Sequence, residues 1–210
     1  MAILITGPSS VGKSTFMASE ERQLFGATHP NAAYGFQIAE SGFAPDTLVH
    51  YNLLHQATSF GGDYAAANAL WDFAADPVFS RIVDSGLIES CIVLVAPMAE
   101  LLERIEHRTG IETFLTDRYD SALWLEITRQ IDLPHVYERL FSSLDALKIP
   151  FRVLLSSAHR PQRFSPSDRL LVLANLNAHS GPAPAAEPAL MAVPRPAGKS
   201  DGDTVQPFPL

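Results

Sequence analysis

A glycine- and serine-rich stretch near the start of the chain has the residue types and spacing that bind phosphate. Residues 7–15 read GPSSVGKST and follow the apolar run AILIT at 2–6. Small residues let the backbone curl so that successive N–H groups point inward and hold phosphate oxygens. A helix that begins near Lys13 would add the positive end of its dipole to the same place. Lys13 is placed to reach the β- and γ-phosphates of a nucleoside triphosphate, and the Ser14 hydroxyl to bind Mg²⁺.

We therefore expect the whole stretch, which we call the 7–15 loop, to contact the nucleotide, and we expect Lys13 to take part in catalysis and Ser14 in metal binding. The nucleotide-binding residues are Gly7, Pro8, Ser9, Ser10, Val11, Gly12, Lys13, Ser14 and Thr15.

The pattern G-x-x-x-x-G-K-[ST], with a predicted strand before it and a predicted helix after it, resembles the Walker A motif of P-loop kinases. The version here is similar to that of guanylate kinases and of small-molecule kinases related to the chloramphenicol phosphotransferases. A second segment, CIVLVAPMAELLERIEHR at 91–108, resembles the late strand and following helix of nucleotide kinases. The resemblance covers roughly residues 1–160. It implies that Arg104, Arg108 and Arg118 belong to or flank a lid over the phosphates, where they would neutralise charge during transfer.

The chain also departs from that family at several points. Only FGGDY at 60–64 echoes the acceptor-reading segment of guanylate kinases, and its arginines are absent. The chain has no NKxD or DxxG pattern of the GTPase switches and no apolar strand that ends in a Walker B aspartate. His50 and Asn52 stand where such a carboxylate is expected. Mg²⁺ would then depend on Ser14, the phosphates, water and a carboxylate from another part of the chain.

Four residues are candidates for activating or binding an acceptor. Glu40 closes a weak strand candidate at 32–40, where the resemblance to the chloramphenicol phosphotransferases places an acid, although a solvated glutamate before a turn is equally open. His50 and Asn52 leave the same face of a strand, either into an acceptor pocket or as hydrogen-bonded structural residues. Asp63, in a glycine-flanked loop, is either a second candidate base or an ordinary turn former.

Predicted strands and helices alternate along the chain. The strands are expected at 2–6, 32–40, 47–54, 90–97 and 151–157, and the helices at 13–25, 64–85 with a break near 76–77, 98–108, 122–131 and 134–147. This order predicts an α/β fold with a doubly wound parallel sheet of about five strands and flanking helices. The P-loop kinase-like domain is expected at 1–176. Residues 177–210, rich in Pro and Ala, are expected to form a disordered tail that could also bind a protein partner.

Composition narrows the classes of function. The chain has 210 residues, 47% of them hydrophobic and 18% charged, which suits a single domain with a buried core. Its net charge of −8 argues against binding to nucleic acid or to an anionic membrane. Cys91 is the single cysteine, and no signal-peptide pattern opens the chain, so we expect a cytoplasmic protein.

Together these features predict a kinase that uses ATP and Mg²⁺ to phosphorylate a hydroxyl or phosphate of a small molecule. Two alternatives remain open at this stage. One is a nucleotide-binding regulator or assembly factor with slow hydrolysis, which the missing Walker B acid and the long tail favour. The other is a sulfotransferase-like enzyme that holds a sulfonated nucleotide in a similar loop.

Overall fold

One mixed α/β sheet organises the described part of the chain. The computed structural model describes residues 1–35, 38, 41–108, 120–160 and 162–169, all within a compact unit that spans Met1–Ser180. The six strands are β1 (Ala2–Gly7), β2 (Asn31–Tyr34), β3 (Thr47–Asn52), β4 (Ile88–Val95), β5 (Phe151–Ser156) and β6 (Phe164–Ser167). Their order in the sheet is β2-β3-β1-β4-β5-β6.

The sheet is parallel except at one edge, where β6 runs antiparallel to β5. The expectation of about five strands, ending with a strand at 151–157, was therefore wrong by one strand. β6 has the sequence FSPS, and proline in a sheet is confined to edge or irregular positions, so its sequence did not predict a strand. The central strands were predicted correctly, because an all-apolar run is what a strand buried on both faces requires. Every residue of β1 is buried, as is the second half of β4.

The helices are α1 (Lys13–Ala18), α2 (Tyr64–Leu70), α3 (Pro77–Asp84), α4 (Met98–Glu106), α5 (Ser121–Gln130) and α6 (Leu133–Ala146), with 3₁₀ helices at Glu20–Phe25, His55–Phe60 and Phe73–Ala75. The single helix expected at 13–25 is interrupted because Ser19 is extended. The segment 64–85 breaks at Asp76, as expected, and also at Trp71. Trp71 and Phe73 are buried in the core.

Aspartates begin four of these helices, since each carboxylate accepts a backbone N–H of the first turn. They are Asp63 before α2, Asp76 before α3, Asp120 before α5 and Asp132 before α6.

The strand expected at 32–40 is shorter than predicted. β2 ends at Tyr34, and Gly35 and Ile38 are already helical, so the prediction that the strand runs to Glu40 was wrong. Glu40 itself lies outside the described residues, as do Arg118 and the segment 177–210. None of the helices in the described part of the chain has the length and apolar character that a membrane crossing needs.

The strand order places the carboxyl end of β1 at the point where the chain switches direction across the sheet. β1 lies between β3 and β4, and Gly7 pairs with Asn52 at the ends of β1 and β3. In open α/β sheets, ligands bind beyond the carboxyl ends of the strands at such a switch point. The 7–15 loop leaves β1 at this place.

Candidate functional site

The 7–15 loop has a backbone that only small residues permit at two positions. Gly7 has a φ of +148°, and a Cβ there would come within 2.6 Å of the Leu94 carbonyl oxygen on the neighbouring strand. Gly12 has a φ of +103°, and a Cβ there would lie 3.1 Å from the Ser156 Oγ. Ser10 also has a positive φ, of 60°. The loop therefore curls tightly against β4 and β5.

Lys13 lies inside this curl and not in solvent. It is 4% exposed, and its Nζ donates to the Gly7 carbonyl at 2.8 Å and to the Pro8 carbonyl at 2.6 Å. A buried ammonium is costly unless its donors are paired, so these two carbonyls explain why the charge is tolerated. The first turn of α1, which begins at Lys13, carries no acidic side chain and no side-chain cap. The positive charge of Lys13 is thus fixed at the centre of the loop.

A cavity of about 650 Å³ lies against the loop, and we call it the loop cavity. Three groups of described residues line it. The loop contributes Ser9, Ser10, Gly12, Lys13, Ser14 and Thr15; the opposite wall contributes Tyr34, Gly35, His50, Tyr51, Asn52, His55 and Val78; and Arg104, His107, Arg108 and Arg163 lie at the side. Gly7, Pro8 and Val11 do not line the cavity; they support the loop from behind.

The opposite wall brings His50 and Asn52 to the cavity, where the sequence placed them. The ring of His50 lies 5.0 Å from that of Tyr34, measured between centroids. Burial and the nearby Lys13 and Arg108 charges hold the pKa of His50 well below its usual range, so His50 is neutral at neutral pH. The Asn52 Oδ1 accepts the Leu54 N–H at 3.2 Å, which fixes the turn after β3.

The structure does not bring Asp63 to the cavity. Its Oδ1 accepts the Ala66 N–H at 2.9 Å as the cap of α2, and Asp63 is not among the residues that line the loop cavity. Of the two interpretations of Asp63, the structural one fits this position.

Sequence reasoning missed a hydrogen-bonded group behind the same wall. Asp76 is 1% exposed, and its Oδ2 accepts the Tyr51 hydroxyl at 2.8 Å and lies 3.4 Å from the Nδ1 of His55. Its Oδ1 accepts the Val78 and Phe79 N–H groups as the cap of α3. The dipeptide DP at 76–77 predicted a break in the helical segment, but no local signal links Asp76 to the end of β3.

Burial and hydrogen bonding act in opposite directions on this group. Burial acts to raise the pKa of Asp76, but hydrogen bonds from His55, the Phe79 amide and Tyr51 outweigh it and lower the pKa. The hydrogen bond that His55 donates to Asp76 raises the pKa of His55, against a smaller opposing effect of burial. Asp76 is therefore ionised at neutral pH, and His55 is the more basic histidine of the wall.

The guanidinium of Arg104 lies at the side of the loop cavity and contacts the 7–15 loop. Its guanidinium donates to the Val11 carbonyl and the Ser156 Oγ, both at 3.1 Å, and forms an ion pair with Glu100. Glu100 in turn accepts from the Ser157 hydroxyl at 3.0 Å and from the Ala158 N–H at 2.6 Å. Arg104 thus ties the back of the 7–15 loop to the end of β5.

The helix expected at 98–108 is α4, which ends at Glu106, so Arg108 follows the helix. Arg108 still lines the loop cavity, and its Nη1 donates to the Ser10 Oγ at 3.4 Å. Arg163, between β5 and β6, also lines the cavity, and the sequence did not predict this cationic side chain there.

The residues present fit Mg²⁺ only in part. Ser14 is exposed on the cavity wall and offers a hydroxyl. Mg²⁺ is usually held by one or two carboxylates together with substrate phosphates and water. Among the described residues that line the cavity none carries a carboxylate, and the described chain has no cluster of three or more His, Cys, Asp or Glu residues suited to a metal. The ligand expected from the 7–15 loop is therefore the Ser14 hydroxyl, with no carboxylate among the described lining residues.

Comparison with known proteins found no matching family model, no matching curated protein and no matching solved structure.

Proposed function

We propose that the chain is an ATP-dependent kinase that transfers the γ-phosphoryl group to a small molecule. The observation that carries the proposal is the sharing of one cavity by two unlike walls. The 7–15 loop supplies curled backbone and a fixed ammonium, as a triphosphate requires, while His50, Asn52 and Tyr34 supply a polar and aromatic wall opposite it. A site that only held a nucleotide would not need the second wall.

The loop cavity has the volume of a site for small molecules. Sites for small ligands usually measure about 300–1,000 Å³, and the loop cavity, at about 650 Å³, falls within that range. Phosphoryl transfer depends mainly on positioning and on neutralising the charge of the transferring group. Lys13, Arg108 and Arg163 are cations that line the cavity, and they suit that role.

Binding would change the partners of Lys13. Its ammonium now donates to two loop carbonyls, and a phosphate oxygen is a stronger, charged acceptor. We expect Lys13 to exchange at least one carbonyl for the nucleotide. Mg²⁺, when bound with the triphosphate, would supply further charge neutralisation, with Ser14 as its protein ligand.

The experiment is a screen for ADP release over acceptor classes, with Lys13→Ala as the test variant. We expect release that depends on an acceptor and is reduced by at least about a hundredfold in Lys13→Ala, as for other losses of charge stabilisation at the transferring group. Lys148→Asn is the matched control, because Lys148 is also a lysine but lies in a turn after α6 with a positive φ that asparagine tolerates. Release that is no faster with any acceptor than with water alone, or equal loss in both variants, would contradict the proposal.

One observation favours a second candidate. Sulfuryl transfer from a sulfonated nucleotide can proceed without a divalent cation, and the described lining of the loop cavity lacks a carboxylate to help hold one. Metal dependence separates the two candidates: the kinase loses turnover in EDTA, whereas a sulfotransferase-like enzyme keeps transferring from its sulfonated donor.

A further inference from the structure

The side chain of His55 lies on the wall of the loop cavity opposite the 7–15 loop. The Leu53 N–H donates to the Gly7 carbonyl at 3.0 Å, so the residues after β3 are tied to the start of the 7–15 loop. His55 follows two residues later, begins a 3₁₀ helix and lines the cavity with Lys13 and Ser14. Its side chain is 51% exposed, so a ligand can reach it.

Asp76 determines which ring nitrogen of His55 faces a ligand. An ionised carboxylate only accepts hydrogen bonds, so the Nδ1 of His55 must carry the proton that Asp76 accepts. The Nε2 then carries the lone pair, which the contact with Asp76 does not use and which can accept a proton from a ligand. Tyr51 and the first turn of α3 hold Asp76 in place, which makes this orientation a property of the fold.

The other titratable groups around His55 do not compete for this role. His50 is kept neutral by burial and by Lys13 and Arg108, which makes it a weak base. The Nδ1 of His107 bonds the Glu103 backbone carbonyl and contacts no carboxylate among the residues that the structure describes. The remaining charged or titratable groups that line the cavity are Tyr34, Tyr51, Arg104 and Arg163.

We propose that His55 is the general base of the transfer reaction and that Asp76 orients it. This inference depends on the proposed kinase activity and adds the base that the sequence did not identify. The hydroxyl oxygen of the acceptor, or of water in its place, forms a bond to the γ-phosphorus of ATP. The bond from that phosphorus to the oxygen of the β-phosphate breaks, and ADP leaves. The hydroxyl proton passes to the Nε2 of His55, and the imidazolium that forms is stabilised by Asp76 and returns its proton to solvent.

The test measures ADP formed from ATP and Mg²⁺ by the full chain, with water as the acceptor, between about pH 5 and about pH 9. A positioned base is worth about 10²–10⁴ in rate, so His55→Gln is expected to lower the rate by at least about a hundredfold. In the wild type the rate rises with pH as His55 loses its proton. Asp76→Asn keeps the cap of α3 but removes the charge that raises the pKa of His55. The rate of this variant is therefore expected to rise at lower pH than the rate of the wild type.

His135→Gln is the matched control, since His135 lies in α6 and is not among the residues that line the loop cavity. Its rate is expected to stay within about threefold of the wild type. A wild-type rate in His55→Gln, or an unshifted pH profile in Asp76→Asn, overturns the inference. Nucleotide affinity, measured by titration, is expected to stay within about twofold in all three variants. A wild-type chain that binds no ATP would instead overturn the proposed function itself.

Discussion

Arg104 and His55 each lie against the loop cavity and each bond a buried carboxylate, but the two pairs differ in what remains available to a ligand. Arg104 is 15% exposed, and its guanidinium is committed to Glu100, the Val11 carbonyl and Ser156. His55 is 51% exposed, and its contact with Asp76 uses one ring nitrogen. The Arg104 guanidinium is covered by protein groups, whereas the ring of His55 is half exposed and can contact a ligand.

The two pairs therefore have different expected roles, one structural and one catalytic. A guanidinium whose Nη1 and Nη2 both donate to protein acceptors fixes the geometry of what it joins, here the 7–15 loop and the end of β5. A histidine held from behind by a carboxylate keeps a defined orientation and still presents a nitrogen to the cavity. Changes to the Glu100–Arg104 pair should therefore act on stability, and changes to the Asp76–His55 pair on rate.

The largest effect on stability is expected for Arg104→Ala. Removing one partner of a buried ion pair leaves the other charge without compensation, which costs about 3–5 kcal/mol. Urea unfolding followed by circular dichroism measures this loss. Asp145→Ala is the control, because the Asp145–Arg169 pair is exposed and such pairs contribute less than about 1 kcal/mol. Equal losses of unfolding free energy in the two variants would contradict a structural role for the Glu100–Arg104 pair.

A smaller loss is expected for Arg104→Lys, which keeps the charge but not the planar arrangement of donors. Lysine can pair with Glu100, but it cannot also reach the Val11 carbonyl and Ser156 in the same geometry. We expect the free energy of unfolding to lie between those of the wild type and Arg104→Ala, with a measurable weakening of ATP binding because the loop loses its rear contact. A lysine variant as unstable as the alanine variant would mean that the charge contributes nothing.

The smallest effect is expected for the pH dependence of stability in His55→Gln. Because Asp76 raises the pKa of His55 in the folded chain, this histidine stabilises the fold below its unfolded pKa of about 6.5. That contribution is lost as the pH rises through the raised pKa. The contribution of His50 to the pH dependence of stability has the opposite sign, since its lowered pKa makes the fold less stable as the pH falls. Thermal melts across this range should show a stronger loss of stability on acidification in His55→Gln than in the wild type. Identical curves would contradict the pairing of His55 with Asp76.

The sequence predicted the parts of the site that depend on local chemistry. The 7–15 loop follows a fully apolar strand, and its glycines stand where the backbone has a positive φ, so both the element and its curl could be derived. His50 and Asn52 could be placed on one strand face by their spacing, and the structure brings both to the cavity. These signals span only a few residues each.

The rest of the site depends on contacts between segments far apart in the chain. His55 and Asp76 are 21 residues apart, and Arg104 and Ser156 are 52 apart. No periodicity or motif reports such pairs, because packing of α3 and β5 against the central strands brings them together. The same limit explains why β6, a short edge strand with a proline, was missed.

The binding of ATP by the wild-type chain and by Lys13→Ala is the measurement that tests the central claim most directly, namely that the 7–15 loop holds the phosphates of a nucleotide. Calorimetric titration with ATP and Mg²⁺ should show saturable binding to the wild type and at least about tenfold weaker binding to the variant, since a charge-assisted contact to phosphate is lost. Equal affinity in the two proteins, or no binding by the wild type, would contradict the account.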